Sequence, residues 1–254
     1  MKEALRNKVV LVTGAGSGIG AVSAKAIAQA GAQVIISDID EKGASETLKA
    51  IKDDGLNADF IRADVSSEKE VENLIKKIVE RYGRLDGAFN NAGIGMNNKP
   101  VHELTEKEWN RVINIDLNGV FYCVKHEFKA MLKCGGGSIV NAASAAGLRA
   151  QINASDYVAA KHGVVGLTKA AAIDGGPSNI RVNAVCPGLI MTPLARELMN
   201  DEVFSKSLDG IKSRHIIGRL GEPEEVANAV IWLLSDYTKF ITGTPLTVDG
   251  GYSV

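Results

Sequence analysis

The chain of 254 residues predicts an α/β fold built on a doubly wound parallel sheet. Two observations carry that prediction. Short apolar runs alternate with helical patterns along the whole chain, and a glycine-rich turn joins the first run to the first helix. Apolar strands that alternate with helices are typical of a parallel sheet covered on both faces. Right-handed crossovers between such strands then give the doubly wound arrangement.

The predicted strands and helices follow one another in a regular order. Apolar runs predict strands at residues 9–12, 34–36, 58–61, 85–89, 138–142, 180–185 and 245–248. Helical patterns predict helices at residues 19–30, 41–54, 68–82, 109–132, 155–173 and 224–234. We therefore predict a single domain at residues 1–254. Its least regular stretch, residues 190–221, is predicted to be an insertion that forms either a lid over a site or a pair of surface helices.

Composition narrows the classes of partner. The chain is 45% hydrophobic and 23% charged with a formal net charge of −1, so neither nucleic acid nor a membrane is an expected partner. Three cysteines without a CxxC pair indicate reduced thiols, and we expect a cytoplasmic protein. The four histidines share no ligand spacing with cysteine or acidic residues, so no metal site is predicted.

The glycine-rich turn at residues 13–20 lies between the first strand and the first helix. Glycines let the backbone approach a pyrophosphate, and a helix N-terminus supplies N–H donors and the positive end of a dipole. A turn without a ligand is the alternative interpretation. The predicted cofactor contacts from this turn are Gly14, Ser17, Gly18, Ile19 and Gly20.

Asp38 follows the second predicted strand, about twenty residues after the turn. A carboxylate there accepts hydrogen bonds from the ribose hydroxyls of an adenosine and repels a 2′-phosphate. Ser17 and Ile39 offer no cation to such a phosphate, so the predicted cofactor is NAD rather than NADP. A plain turn residue is the alternative for Asp38. Asp64, with its neighbour Val65, is predicted either to meet the adenine or to cap the next helix.

Tyr157 and Lys161 lie four residues apart, with Ser144 upstream of them. Positions i and i+4 share one face of a helix, so the ammonium stands beside the phenol and favours the phenolate. Such a phenol exchanges a proton with an alcohol near neutral pH. The same spacing also occurs in ordinary surface pairs, but the nucleotide turn elsewhere in the chain favours the catalytic interpretation.

Taken together, these residues resemble the short-chain dehydrogenase/reductase family over essentially the whole chain. The turn Thr13-Gly14-x-x-x-Gly18-x-Gly20 is similar to the cofactor loop of that family. Its other matching motifs are the run Asn90-Asn91-Ala92-Gly93 after the fourth strand, the catalytic tetrad Asn114, Ser144, Tyr157 and Lys161, and the nicotinamide-contacting segment Pro187-Gly188 with Ile190 and Thr192.

The resemblance implies a Rossmann-type sheet of seven strands in the order 3-2-1-4-5-6-7. It also implies a homo-oligomer, usually a tetramer, with the helices at residues 109–132 and 155–173 packed across a two-fold axis. One departure is the run Asp-Gly-Gly-Pro at residues 174–177, where relatives continue the helix. This run predicts that the helix ends early.

The resemblance also implies an activity, which is hydride transfer between NAD(H) and a secondary alcohol or ketone. Tyr157 is then the acid/base, and Lys161 favours the phenolate and holds the nicotinamide ribose. Ser144 donates to the substrate oxygen, and Asn114 holds a water that links Lys161 to solvent. The stretches 85–93 and 157–169 look most like family members that act on cyclic secondary alcohols.

The substrate is expected to contact residues 148–156 and 190–221. The apolar side chains there are Leu148, Ile152, Leu189, Ile190, Met191, Leu194, Leu198 and Met199. They predict a small, mainly apolar substrate, and ordinary packing is the alternative. Arg149 and Arg196 are the nearby cations, without an evident partner. The rival activities are a 3-oxoacyl thioester reductase that uses NADPH and a nucleotide-sensing regulator without catalysis.

Overall fold

The computed structural model describes residues 1–193, 195–196, 210 and 212–254. Seven strands form one sheet in the order β3-β2-β1-β4-β5-β6-β7, and every pairing is parallel. The strands are β1 Val9–Thr13, β2 Gln33–Ser37, β3 Ala58–Phe60, β4 Gly87–Asn90, β5 Gly137–Ala142, β6 Ile180–Pro187 and β7 Pro245–Val248. The predicted fold class and strand order are confirmed.

Helices connect the strands. They are α1 Gly18–Gln29, α2 Glu41–Asp53, α3 Glu68–Tyr82, α4 Glu106–Ile113, α5 Gly119–Lys133, α6 Ser155–Gly175 and α7 Pro223–Leu234. Local signals place several of their ends. For example, the Ser67 side chain accepts a hydrogen bond from the N–H of Glu70 at the start of α3, and Gly83 ends that helix with a φ of 72°.

The two faces of the sheet carry separate apolar cores. On one face, α1, α2 and α7 pack against strand residues that include Val10 and Val12. On the other face, α3, α5 and α6 pack against Val9 and Leu11. Successive residues of a strand point to opposite faces, so one continuous apolar run supplies both cores. This is the physical reason why the strands could be predicted from uninterrupted apolar runs.

The long helix predicted at residues 109–132 is interrupted, so the prediction of one regular helix was wrong. Between α4 and α5 the chain makes a π-helical turn, Asn114–Asn118, in which the N–H of Gly119 donates to the carbonyl of Asn114. A π-helical turn inserts an extra residue while the apolar pattern continues, so the pattern alone does not reveal it. The turn changes which side chains point toward the sheet.

The α-helix α6 ends inside the run at residues 174–177, two residues after the predicted end at residue 173. Its last residue is Gly175, and the chain passes directly into a 3₁₀ turn, Gly176–Ser178. A Cβ at position 175 would lie 2.7 Å from the carbonyl oxygen of Ile180, so glycine permits a close return of the chain into β6. The Gly-Gly-Pro run therefore ends the α-helix and tightens the connection between α6 and β6.

Much of the predicted insertion, residues 194, 197–209 and 211, lies outside the described residues. Its two ends are joined, because the N–H of Met191 donates to the carbonyl of Gly221 at 2.8 Å and the N–H of Gly221 donates to Leu189 at 3.0 Å. In the part of the chain that the structure describes, no helix is long and apolar enough to cross a membrane. The same residues contain no group of three or more His, Cys, Asp or Glu side chains that could hold a metal.

Candidate active site

One cavity of about 1080 Å³ lies at the edge of the sheet where the strands end. Doubly wound sheets bind their ligands at this edge, and ligand pockets typically measure about 300–1,000 Å³. Except for Gly20 and Asn114, the predicted site residues all line this cavity. They are Gly14, Ser17, Gly18, Ile19, Asp38, Asp64, Val65, Asn91, Ala92, Gly93, Ser144, Tyr157, Lys161, Pro187, Gly188, Ile190 and Thr192.

The glycine-rich turn forms one wall of the cavity with its backbone. Gly14 and Gly18 have φ angles of 62° and 54°, which favour glycine. A Cβ at Gly20 would lie 2.0 Å from the carbonyl oxygen of Gly14, so this glycine serves close packing of α1 on the turn rather than lining the cavity. No side chain caps the first turn of α1. Backbone N–H groups at such a helix end bind phosphate oxygens.

Asn91 fastens the turn after β1 to the turn after β4. Its carboxamide donates to the carbonyls of Thr13 and Gly14 at 3.1 and 3.0 Å. In return, the Thr13 hydroxyl accepts hydrogen bonds from the N–H groups of Asn91 and Ala92 at 3.1 and 3.2 Å. These four bonds hold the two turns in a fixed arrangement. The sequence motif alone did not reveal this role of the Asn91 side chain.

The Asp38 carboxylate is held across from the glycine-rich turn. Its Oδ2 accepts the N–H of Gly16 at 2.7 Å, and its Oδ1 accepts the N–H of Asp40 at 2.9 Å. A carboxylate has about four lone-pair sites, so both oxygens can still accept ribose hydroxyls. The next residue, Ile39, also lines the cavity and is 60% exposed.

Asp64 lines the cavity but does not cap α3. Ser67 is the capping residue of that helix, whereas Asp64 Oδ1 accepts hydrogen bonds from the N–H and hydroxyl of Ser66 at 2.9 and 2.7 Å. The capping alternative was therefore wrong. The contact of Asp64 with an adenine stays a prediction.

Tyr157, Lys161 and Ser144 all line the cavity. Tyr157 and Lys161 lie one turn apart on α6, and the Lys161 Nζ is 5.4 Å from the centre of the Tyr157 ring. Ser144 follows β5, and its hydroxyl accepts the N–H of Ala146 at 3.1 Å. Tyr157 is half-buried, while Lys161 is 4% exposed. A phenol, a hydroxyl and an ammonium therefore share one site.

The Lys161 ammonium has two close oxygen partners. Its Nζ donates to the carbonyl of Ala142 at 3.0 Å and lies 3.0 Å from Oδ2 of Asp116. Burial disfavours the charged form, but the charges of Asp116 and Tyr157 and the contact with Asp116 outweigh it, so the pKa of Lys161 lies above its ordinary value. The ammonium is therefore charged at neutral pH despite its burial.

The structure does not bring Asn114 to this site. Its side chain is exposed and its Oδ1 accepts a hydrogen bond from Asn118 at 2.9 Å. The group that stands beside Lys161 is Asp116, two residues later in the π-helical turn and fully buried. The sequence offered the run Asn-Ile-Asp, and the extra residue of the π-helical turn decides which of the two polar side chains points inward. We predicted that Asn114 holds a water that links Lys161 to solvent, and the exposed position of its side chain outside the cavity does not match that role.

The far end of the cavity is mainly apolar with a few polar groups. Of the apolar residues expected there, Ile152, Leu189 and Ile190 line the cavity, Leu148 packs against the core and Met191 is not in the lining. Leu194, Leu198 and Met199 lie outside the described residues. Ala150, Gln151 and Arg214 also line the cavity and fall within the predicted stretches 148–156 and 190–221. Lining residues that the sequence did not predict include Ile94, Gly95, Met96, Asn98 and Tyr252.

The two expected cations stand elsewhere. Arg149 donates to the carbonyls of Tyr252 and Val254 at 3.0 and 3.4 Å, so it holds the C-terminal segment against the cavity wall. Arg196 is exposed and outside the lining, whereas Arg214 is the arginine that lines the cavity among the described residues. Such long-range pairing carries no local sequence signal.

Comparison with known proteins shows which family this site belongs to. Residues 14–253 match a family model described as Enoyl-(Acyl carrier protein) reductase. The chain is 45% identical over 253 residues to the cyclohexanol dehydrogenase of Acinetobacter sp. (strain SE19), covering 100% of this chain and 98% of that protein.

The chain belongs to the short-chain dehydrogenase/reductase family.

Further similarities agree with this membership. This chain is also 45% identical to the cis-4-hydroxycyclohexanecarboxylate dehydrogenase of Sinomonas cyclohexanicum, and the alignment covers 100% of this chain and 99% of that dehydrogenase. A levodione reductase crystal structure superposes with a TM-score of 0.94 at 37% identity and covers 98% of each chain. The predicted family and enzyme class are thereby confirmed. This short-chain dehydrogenase/reductase is an oxidoreductase that acts on CH–OH groups with a nicotinamide cofactor.

The residues present fit such a cofactor. At Gly14 a Cβ would lie 2.6 Å from the Cα of Ala92, so the turn has no side chain there and its backbone is open to a ligand. The helix α1 begins beside this turn, and no side chain caps its first N–H groups. Asp38 offers acceptors at one end of the cavity, and Tyr157 and Lys161 lie at the other wall. The donor and acceptor groups are thus those that a dinucleotide requires.

Proposed function

We propose that this protein is an NAD-dependent dehydrogenase of small, ring-shaped secondary alcohols, working also as a reductase of the corresponding ketones. The observation that carries the proposal is that Tyr157, Lys161, Ser144 and Asp38 line one cavity. In the same proposal the protein is a cytoplasmic homotetramer. Its three cysteines are free thiols, as expected for a reducing compartment.

The nicotinamide, when bound, accepts or gives the hydride at the carbinol carbon. The chain itself supplies position and proton transfer. Gly14, Gly18 and the start of α1 would hold the pyrophosphate, and Asp38 would accept the adenosine ribose hydroxyls. Pro187, Gly188 and Thr192 line the part of the wall that would hold the nicotinamide half. This arrangement fixes the reacting groups in one geometry, which removes much of the entropic cost of the reaction.

Tyr157 is the proton acceptor on oxidation and the proton donor on reduction. The positive charge of Lys161 favours the phenolate form, since opposite charges at short range stabilise ionisation. Ser144 donates a hydrogen bond to the substrate oxygen as charge develops there. Lys161 also lies close enough to the cavity to hold a ribose hydroxyl of the nicotinamide half.

The substrate end of the cavity supports a compact apolar substrate. Ile94, Met96, Ile152 and Leu189 line it. Apolar side chains bind a ring by removing its surface from water, at about 25 cal/mol per Å². The relatives named for cyclohexanol and for a hydroxycyclohexanecarboxylate support a six-membered ring as the substrate core.

A panel of substrates tests this proposal. The panel contains cyclohexanol, an open-chain secondary alcohol, a primary alcohol and a 3-hydroxyacyl thioester. Each compound is tested with NAD and with NADP, and turnover is measured by the absorbance of the reduced nicotinamide. We expect the highest kcat/KM for the ring alcohol with NAD. A preference for the thioester, or faster turnover with NADP at equal concentration, would overturn the substrate or the cofactor assignment respectively.

The second candidate is a 3-oxoacyl thioester reductase that uses NADPH. It is favoured by similarity to a solved structure of a substituted actinorhodin polyketide ketoreductase with NADPH, at a TM-score of 0.92 and 38% identity. Asp38 argues against it, because a fixed carboxylate beside the adenosine ribose repels a 2′-phosphate. The thioester arm of the same panel decides between the two.

A further inference from the structure

Lys161 and Asp116 form an ion pair that is almost completely withdrawn from water. The Lys161 side chain is 5% exposed and that of Asp116 is 0% exposed, with 3.0 Å between Nζ and Oδ2. A buried ammonium without an opposite charge loses its proton readily, because burial penalises the charged form. The charge that the proposed mechanism asks of Lys161 therefore needs a partner.

Asp116 also binds the turn that carries Gly93. Its Oδ1 accepts the N–H of Ile94 at 2.8 Å. A Cβ at Gly93 would lie 2.9 Å from Asp116 Oδ2 and 3.4 Å from Lys161 Nζ, so the three residues pack in direct contact. Gly93, Ile94 and Asp116 all line the cavity. One carboxylate thus ties the catalytic helix α6 to the turn after β4.

We propose that Asp116 is the counter-ion of Lys161 and the positioning residue that fixes its ammonium against the Gly93–Ile94 turn. This inference rests on the proposed function, in which Lys161 must be charged beside Tyr157. Asp116 acts through Lys161. The π-helical turn is what carries Asp116 to this position, since the exposed Asn114 at the start of the same turn lies outside the cavity.

The titratable groups that face the Lys161 ammonium are few. They are Asp116 on the π-helical turn, Tyr157 on α6 and Cys186 on β6. Burial raises the pKa of Cys186 to about 11, so this thiol is neutral at physiological pH. Asp116 is accordingly the carboxylate whose removal changes the charge state of Lys161.

Asp116→Asn is the direct test, because the amide keeps the size and the acceptor for Ile94 while removing the charge. In the wild type the pKa of Lys161 is raised, so we expect the alkaline limb of kcat/KM, at which Lys161 loses its proton, to lie at a higher pH in the wild type than in the variant. In the variant we expect that limb to move down by about one pH unit or more, because a buried ammonium without a counter-ion deprotonates earlier. Asp116→Ser also removes the charge, and we expect it to shift the alkaline limb in the same direction. This variant replaces Asp116→Asn in the experiment if the Asn variant does not fold.

Asp156→Asn is the matched control. Asp156 is also 0% exposed and lies beside the active site, but it accepts hydrogen bonds from Tyr157 N–H and from the Asn97 carboxamide, the first at 2.8 Å and the second at 2.6 Å. Any loss that this variant causes should be uniform with pH. If Asp116→Asn leaves the limb where the wild type has it and also destabilises the protein by the same amount at every pH, or if Asp156→Asn shifts the limb equally, the counter-ion role is overturned.

A second readout does not depend on activity. With Asp116 neutralised, native Lys161 has a pKa below its unfolded value, so native Lys161 releases its proton first as pH rises and the variant gains stability relative to the wild type. The destabilisation by Asp116→Asn should therefore shrink between about pH 7 and about pH 10. If it shrinks while the kinetics do not change, the ion pair stands and the proposed role of Lys161 in catalysis fails. A constant destabilisation would contradict the ion pair itself.

Discussion

Asp38 is the residue on which the cofactor preference depends. Its carboxylate is held by the N–H groups of Gly16 and Asp40, so it cannot turn away from an approaching ribose without losing both bonds. Ile39 beside it is exposed and has no charge to offer a phosphate. At the scale of single residues, the preference for NAD that we propose therefore rests on one fixed negative charge, Asp38, and on the absence of a positive charge at Ile39.

Replacing Asp38 by Ala and Ile39 by Arg together should reverse that preference. The change removes the carboxylate that repels a 2′-phosphate and adds a guanidinium that pairs with it. We expect the ratio of kcat/KM for NAD to kcat/KM for NADP to fall by roughly 10²-fold. The new charge-assisted contact and the loss of the repulsion together favour NADP by about 3 kcal/mol.

Asp40→Ala is the control for this double variant. Asp40 is the capping residue of α2, accepts the N–H of Lys42 at 3.1 Å and does not line the cavity. Its removal should lower stability slightly and leave the cofactor ratio unchanged. A double variant that still prefers NAD as strongly as the wild type would contradict the role of Asp38.

Residue types at fixed spacings predicted most of the site, but not side-chain directions. The glycine-rich turn, Ser144, Tyr157 and Lys161 were found because each has a chemical requirement that local sequence displays. Asp116 was missed because Asn114 matched the expected type, and only the π-helical turn determines which of the two points inward. Gln151 and Tyr252 come together across the fold, and no local pattern signals such a contact.

At the scale of elements, a buried polar chain links two strands to two helices. The Asn90 carboxamide on β4 donates to Glu127 on α5 and to Asn141 on β5, each at 3.0 Å, and Asn141 donates to Thr168 on α6 at 3.0 Å. Burial raises the pKa of Glu127 to about 8, although the bond from Asn90 works in the opposite direction. Native Glu127 is therefore neutral at mildly acidic pH.

This neutral Glu127 gives stability a definite pH dependence. Its native pKa of about 8 exceeds the ordinary value of 4.5, so between them the unfolded chain is ionised and the native chain is not. The contribution of Glu127 to the free energy of unfolding therefore falls as the pH rises from 4.5 to about 8. The decrease is up to about 1.4 kcal/mol per pH unit. We expect Glu127→Gln to become progressively more stable than the wild type over the same window, measured by urea unfolding.

Glu108→Gln is the comparison for Glu127→Gln. The hydrogen bond from Lys99 lowers the pKa of Glu108 to about 2, so above about pH 6 that carboxylate is ionised in both the native and the unfolded chain. Its variant should differ from the wild type by a constant amount between about pH 6 and about pH 8. A difference for Glu127→Gln that is equally constant would show that Glu127 is ionised in the native protein.

Sequence predicted the elements well where apolar periodicity decides them. The strands and most helix ends fall within a few residues of their predicted bounds, because caps such as Ser67 and turns such as Gly83 are local features. The failure occurs where tertiary packing decides. The π-helical turn between α4 and α5 interrupts a helix that the apolar pattern predicts to be continuous.

At the scale of the whole molecule, α5 and α6 present apolar side chains to solvent in the isolated chain. Phe121 and Leu132 on α5 are 44% and 54% exposed, and Ile173 on α6 is 77% exposed. In the homotetramer that we propose from the family resemblance, these side chains would be covered where the two helices meet their copies.

Light scattering tests that assembly. We expect the wild type to have four times the chain mass of 26.9 kDa. Phe121→Glu, which places a charge in the expected interface, should lower the mass to that of a dimer or a monomer. Val101→Glu, at a site that is 71% exposed but on neither helix, should leave it unchanged. A wild type with the mass of one chain would contradict the expected tetramer.

Turnover by Tyr157→Phe is the most direct test of the account, because phenylalanine keeps the ring and removes only the hydroxyl that exchanges the proton. We predict that kcat for cyclohexanol falls by at least about 10²–10⁴-fold while the Kd for NAD, measured by calorimetry, stays within a few-fold of the wild type. Turnover close to that of the wild type, with NAD bound equally well, would contradict the role of Tyr157 as the acid/base.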